Sequence, residues 1–384
     1  MNRGKIFVLA ALALVGALFG AAHTQTLATR ELPASLKNAS TEARWHTDYD
    51  FTSDIDRARE LLEKENAGFE TAPIVKKVWK RKKLVSEKVV GQKLTDFTVL
   101  LAVKHRDRKD IELIRMSKDG ENPAGYDIDW KKANGVNTNF VIEHPEGYSI
   151  LAIKRVIRSG KKNFVEVPYT PFTADIDTPM MRAKGLQYLL STLTAAGADL
   201  KKNNVASNAS PGQSVSDVVP LDVSLMLSII EHIDPARSQK EPIEKLVNEV
   251  LVTVGANRKL SYAYAISKAK ARGLFQFIPR TYVAINKRYP SAGLTKSFAA
   301  GMNDHVNAAK ASLLLFDADL AQLASDKRSL LLKDKMKLAE YLAIAYNSGA
   351  RRAVLSYESG GSSALPKETV LYRDKLRKTT LAFK

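Results

Sequence analysis

What most constrains this chain is a change of apolar period part-way along it. Residues 84 to 170 carry β-branched and aromatic residues in short runs: Phe97 to Val103, Ile111 to Met116, Phe140 to Glu143, Tyr148 to Val156 and Phe164 to Val167. Turn-forming pairs such as Asp119-Gly120 and Ser159-Gly160 separate the runs, so this stretch predicts antiparallel strands. From Thr178 the spacing becomes helical. Met181, Leu186, Leu189, Leu190 and Leu193 share one face over Thr178 to Lys202, and beyond residue 216 nearly every stretch reads as helix. A shorter helix is expected over Ser53 to Asn66, capped by Asp54, with Ile55, Ala58, Leu61 and Leu62 inward. Between the two regimes, residues 203–216 (NNVASNASPGQSVS) are small and polar with Pro and Gly, the composition of a linker. The expected fold is therefore α+β in two domains, a small β-rich α+β domain over 23–202 and an all-α domain over 217–384.

The N-terminus predicts a compartment. Arg3 and Lys5 precede an apolar run from Ile6 to Gly20, followed by Ala21 and Ala22, so residues 1–22 read as a secretory signal peptide. An uncleaved N-terminal anchor is the competing reading. Either places the rest of the chain outside the cytoplasm, in the periplasm or cell envelope. The 59 Lys and Arg outnumber the 41 Asp and Glu, and the formal charge of +18 favours polyanionic partners. With export, nucleic acid is not expected among them, which leaves anionic wall polymer or a membrane surface. The densest basic run, Lys76, Lys77, Lys80, Arg81, Lys82 and Lys83 around Trp79, is either a solvated face or the contact for such a partner. The chain has no cysteine, which excludes disulfides, thiolate metal sites, a cysteine nucleophile and a lipidated N-terminal cysteine. No paired acid and base, metal spacing or nucleophile motif is found before residue 203.

Four segments of the helical part carry chemistry. In Val219 to Pro235, Val223, Met226, Leu227 and Ile230 recur at helical spacing, and Asp234-Pro235 stops the helix. Glu231 falls in the last turn. Apolar walls and the partial negative charge of a helix C-terminus both disfavour a carboxylate there, making Glu231 a candidate general acid that stays protonated near neutral pH. Glutamates at helix ends are, by themselves, mostly surface residues. In Ala271 to Tyr282, ARGLFQFIPRTY, Gly273 permits close backbone approach and Gln276 lies between Phe275 and Phe277 as an amide able to read a hydroxyl or acetamido group. The competing reading is an ordinary helix start with a core Phe. Leu342 to Gly349, LAIAYNSG, ends an apolar helix at Tyr346 and Asn347, and Leu365 to Tyr372, LPKETVLY, says little alone.

In this order, the four segments resemble the soluble lytic transglycosylases, whose domain has a goose-type lysozyme fold. That family places a glutamate near the end of an apolar helix, then G-L-M-Q-I/F-x-P-x-T, an Asn-Ile helix start, A-Y-N and L-P-x-E-T-x-x-Y. Here Asp304, His305, Val306 and Asn307 approximate the Asn-Ile element. The resemblance covers roughly residues 217 to 378. It implies cleavage of the MurNAc–GlcNAc β-1,4 bond of peptidoglycan with formation of a 1,6-anhydro end, without metal or cofactor. Glu231 would be acid and then base, Tyr346 would orient it by a hydrogen bond, and Gln276 and Asn347 would hold the glycan. Plain hydrolysis by water and a non-catalytic glycan-binding or scaffolding role stay open beside it.

Departures from the pattern are local. His232 stands where the family usually has Ser, and Pro235 comes one residue early. The connection from Ala236 to Tyr264 is long, holds an expected helix over Pro242 to Val254, and brings Glu241, Glu244 and Glu249 near, with Glu249 a rival acid. A literal E-S-G at Glu358, Ser359 and Gly360 follows the A-Y-N motif in what reads as a Gly/Ser-rich loop, and is taken as a decoy.

Overall fold

The computed structural model describes residues 31–37, 49–80, 82–131, 139–159, 163–359, 361 and 365–383, so the expected signal segment 1–22 lies outside the described residues. The chain is α+β and divides into two compact units, one of residues 39–181 and one of residues 182–384 together with the segment before residue 39, whose Leu32 and Leu36 join the helical core rather than the expected domain over 23–202.

In the strand unit, α1 (Thr52–Lys64) precedes β1 (Phe69–Lys80), β2 (Lys83–His105), β3 (Ile111–Ser117), β4 (Asp127–Lys131), β5 (Asn139–His144), β6 (Tyr148–Ser159) and β7 (Asn163–Tyr169). All pairings are antiparallel: the main sheet runs β1-β2-β6-β7 with β3 also on β2, and β4 pairs β5 apart from it. Alternation along the second half of β2 decides the layers. Val99, Leu101 and Val103 pack with Ile114, Ile128, Phe140 and Ile142 in one core. Leu100 and Ala102, buried on the opposite face, look toward α1, which packs on β2 and β6. Asp54 does not cap α1, whose first residue follows Phe51 with no side-chain cap. It is buried against Lys104, which also donates to Tyr49 Oη at 2.7 Å.

Five runs expected as strands are strands. Missing from the sequence reading were β1, the first half of β2, and β4. The first two lie in a ribbon with both faces in solvent, where lysine and valine mix freely because no core enforces alternation.

The helical unit contains α2 (Pro179–Lys202, from Arg182 onward), α3 (Leu221–Ile230), α4 (Ile243–Asn257), α5 (Pro279–Arg288), α6 (His305–Leu320), α7 (Lys335–Ser348), α8 (Ala350–Ser359) and α9 (Lys367–Ala382). Every residue of α3 except Asp222 is buried, so it forms the axis of the core. At Gly185 a Cβ would stand 1.9 Å from the carbonyl oxygen of Leu251, so the crossing of α2 over α4 is closer than any side chain permits.

Two boundaries differ from expectation. Leu186, Leu189, Leu190 and Leu193 of α2 join the core of the helical unit, not that of the strands. Residues 203–216 are not a linker: Val205, Ala209 and Val215 are buried, and Val215 N donates to Val205 O at 3.0 Å. The buried carboxylate of Asp317 on α6 organises the segment. It accepts from Ser207 Oγ, from Asn208 N at 2.7 Å, from Ala209 N at 3.3 Å and from Tyr289 Oη at 2.8 Å. Small polar residues serve tight, hydrogen-bonded turns as well as flexible spacers, and composition does not separate the two.

Asp317→Ala should therefore destabilise the helical unit by about 3 kcal/mol or more, because several buried donors lose their acceptor at once. Thermal unfolding measures the loss, and limited proteolysis should find a new cut within 203–216. An unchanged melt with no new cut would return that segment to a linker.

Candidate active site

The site grows from the end of α3. Pro235 lacks the amide hydrogen a further turn needs, and the chain leaves the helix at Glu231, whose N–H still donates to Leu227 O at 3.1 Å. A ten-residue apolar helix thus delivers one carboxyl to its own C-terminus. Tyr372 of α9, itself buried, donates its hydroxyl to Glu231 Oε1. One turn on, the buried Lys375 donates to the carbonyls of Ile230 and Ile233, the latter at 2.9 Å, and so answers the orphan acceptors of the helix end.

These groups act in opposite directions on Glu231. Desolvation favours the neutral acid; the Tyr372 hydroxyl and the Lys375 charge favour the carboxylate. Desolvation wins, and the pKa is pushed up to about 7. Burial also lowers Lys375 to about 8 and drives both Tyr372 and Tyr346 well above the usual tyrosine range.

The GLFQF segment is fixed against this centre by its own carbonyls. His232 Nε2 lies 2.9 Å from Leu274 O; a carbonyl only accepts, so that nitrogen carries the proton. The imidazole stacks on Tyr262 with centroids 3.3 Å apart, and burial lowers its pKa to about 3, keeping it neutral. The next carbonyl, that of Phe275, accepts from the Tyr346 hydroxyl. Gly273 has φ +73°, and a Cβ there would meet Met302 O at 2.5 Å. Gln276 has φ +46°, a left-handed conformation rare for a side-chain-bearing residue, and its Nε2 donates to Gly273 O at 2.9 Å. From the end of α7, Asn347 Oδ1 accepts from Thr369 Oγ1 of α9 at 2.8 Å.

Four hydrogen bonds therefore close a ring through all four sequence segments: His232 to Leu274, Phe275 to Tyr346, Asn347 to Thr369, and Tyr372 back to Glu231. Beside it lies a cavity of about 290 Å³ lined by Pro235, Ser238, Asn347, Leu371, Tyr372 and Lys375, among others. Among the described residues, no group of three or more histidine and acidic side chains is placed to hold a metal ion.

The structure redistributes the expected roles. The hydroxyl on Glu231 belongs to Tyr372, not Tyr346; Tyr346 instead braces the Phe275 carbonyl and packs edge-on against Phe277 at 5.8 Å. His232, read as a departure, is a clamp on the GLFQF loop. Lys375 was missed, because a lysine on a basic helix gives no sign of burial. Glu249 is bound by Arg237 through contacts of 2.7 Å, in a cluster with Glu241, so the rival acid is occupied as an ion pair. Glu358 pairs with Lys327 at 2.6 Å at the exposed end of α8, which is a helix where a loop was expected.

The arrangement defines a class of site: one desolvated carboxyl that accepts from a tyrosine hydroxyl, with a buried ammonium group nearby on the carbonyls of the same helix end, beside a cavity that the tyrosine and the lysine line. No family model, curated protein or solved structure matches the chain.

The raised acid implies a pH dependence of stability. The folded chain binds a proton on Glu231 between its ordinary pKa of 4.5 and about 7, where the unfolded chain does not, so this residue's contribution to stability is lost as pH rises through that window. Glu231→Gln should match the wild-type Tm near pH 4, gain on it through the window and hold the gain above about pH 7. Calorimetry at stepped pH checks this; parallel curves would mean an unperturbed carboxyl.

Proposed function

We propose that the helical unit is a peptidoglycan lytic transglycosylase of goose-type-lysozyme-like fold, exported to the cell envelope, with Glu231 as its acid and base. The observation that carries this reading is Glu231, whose pKa burial pushes up to about 7, as a member of a hydrogen-bonded ring joining the four family-like segments. Most glycosidases use two carboxylates, whereas a muramyl sugar supplies the second function itself. Glu231 gives its proton to the glycosidic oxygen as the C1–O bond breaks. The acetamido oxygen stabilises the developing cation, the C6 hydroxyl attacks C1, and its proton returns to Glu231. Tyr372 holds the carboxyl in place and stabilises its anionic form between the two transfers. Asn347, which lines the cavity, and Gln276, in the GLFQF loop, bind the glycan.

Digestion of purified sacculi with mass-spectrometric reading of the ends tests the reaction. Anhydro ends are expected, and Glu231→Gln should abolish them. Reducing muramyl ends would make the protein a hydrolase, and sacculus binding without cleavage would make it a glycan-binding module.

Tyr372→Phe removes a hydrogen bond that favours the carboxylate, so the pKa of Glu231 should rise further and the alkaline limb of the pH–rate profile should move to higher pH, with kcat reduced about tenfold. Tyr346→Phe should leave that limb where it is, because its hydroxyl serves Phe275. A shifted limb in the Tyr346 variant instead would reverse the two assignments.

A further inference from the structure

Residues 69–97 of the strand unit form a two-stranded ribbon of β1 and the first half of β2, running beyond the part of β2 that pairs with β3 and β6. From Ile74 to Trp79 and from Leu84 to Val90, every residue is exposed. A two-stranded ribbon with both faces in water is marginally stable, and this one gathers its aromatic side chains, Phe69, Trp79 and Phe97, on one face.

Cross-strand partners share a face. Trp79 opposes Leu84, Val75 opposes Val89 and Phe69 opposes Phe97 on one side, where Lys77 and Glu87 form an ion pair at 3.6 Å. On the other side Lys76 opposes Lys88 directly and Ala72 opposes Lys93, with Ile74 and Val78 interspersed and Glu70 opposite Asp96 at the base. The unpaired residues Val85, Val90 and Thr95 all fall on β2, so these bulges leave the alternation of β1 intact. Exposure on the apolar side is large: 61% for Trp79, 44% for Leu84, 42% for Val75 and 45% for Val89. The edges are poor templates for strand addition, since β2 is interrupted by its bulges and β1 carries Pro73. Recognition is left to the faces.

We infer that this ribbon is a docking element for an anionic lipid bilayer surface, the strand counterpart of an interfacial amphipathic helix. Its apolar side meets the acyl boundary with Trp79 at the interface depth such rings favour. Its lysines, with Lys82 at the turn, meet headgroup phosphates. The facing Lys76 and Lys88 repel each other in water, and an anionic surface relieves that repulsion. Glycan fits less well, because Val75, Val89 and Leu84 offer no hydrogen bond to a sugar. A second copy fits less well too: one ribbon face spans about 40 by 10 Å, about half the area each partner gives to a stable interface, and both copies bring the same positive charge.

The inference is independent of Glu231 and is tested by binding, not turnover. The full chain is floated with vesicles of phosphatidylglycerol and phosphatidylcholine, or of phosphatidylcholine alone. Wild type should float with the anionic vesicles, and a blue shift of fluorescence should accompany binding and be absent from Trp79→Phe. Trp79→Ser with Leu84→Ser should lose at least about tenfold in affinity at any salt. Lys76→Gln with Lys88→Gln should lose about tenfold at low salt, with little effect at high salt. All these side chains are exposed, so melting temperatures should not move. Failure of wild type to float, flotation unchanged by the Trp79 and Leu84 substitutions, or ribbon-dependent binding to lipid-free sacculi would each overturn the inference, the last assigning the ribbon to wall polymer.

Discussion

A carboxyl group drawn partly out of water at the end of an apolar helix is the constraint on which the helical unit turns. Both the desolvation and the partial charge of the helix terminus oppose ionisation, and together they outweigh a neighbouring hydroxyl and a buried ammonium group. A hydrogen bond to a charged group is worth about 1.5–3 kcal/mol, or one to two pKa units. The balance is therefore close, and the surrounding packing sets it. Lys375 satisfies the carbonyl of Ile230, the last residue of α3, and that of Ile233 just beyond it, and supplies a positive charge that favours ionisation of the carboxyl.

The same packing orders the loop opposite. Backbone carbonyls of Leu274 and Phe275, not side chains, are gripped by His232 and Tyr346, which leaves the Gln276 side chain at a defined place in a strained backbone. Strain of this kind persists only where the environment over-determines it. Here the environment is Gly273 pressed on Met302 on one side and two side-chain clamps on the other.

Much of this was legible in the residues, for identifiable reasons. Glu231, the apolar helix before it and the four ordered segments are local patterns, and a helix repeats its spacing whatever it packs against. The exchange of roles between Tyr346 and Tyr372 was not legible: both tyrosines follow apolar stretches, and which hydroxyl reaches the carboxyl depends on how α7 and α9 sit on α3. Residues 203–216 misled because Asp317, the side chain that turns them from spacer into packed loop, lies over a hundred positions away. In the strand unit the five runs with a buried face announced themselves, whereas the ribbon lacks a core to discipline its pattern and read only as a run of charge.

The hydrogen-bonded ring joins residues 42, 71, 22 and 141 positions apart in sequence. None of those contacts is local, so none exists in a nascent or extended chain, where Glu231 is an ordinary carboxylate and holds no proton at neutral pH. The raised acid is thus made by the folded packing rather than by synthesis. A chain that has not yet folded carries no such proton, and the raised acid exists only once the packing of the helical unit has closed around it.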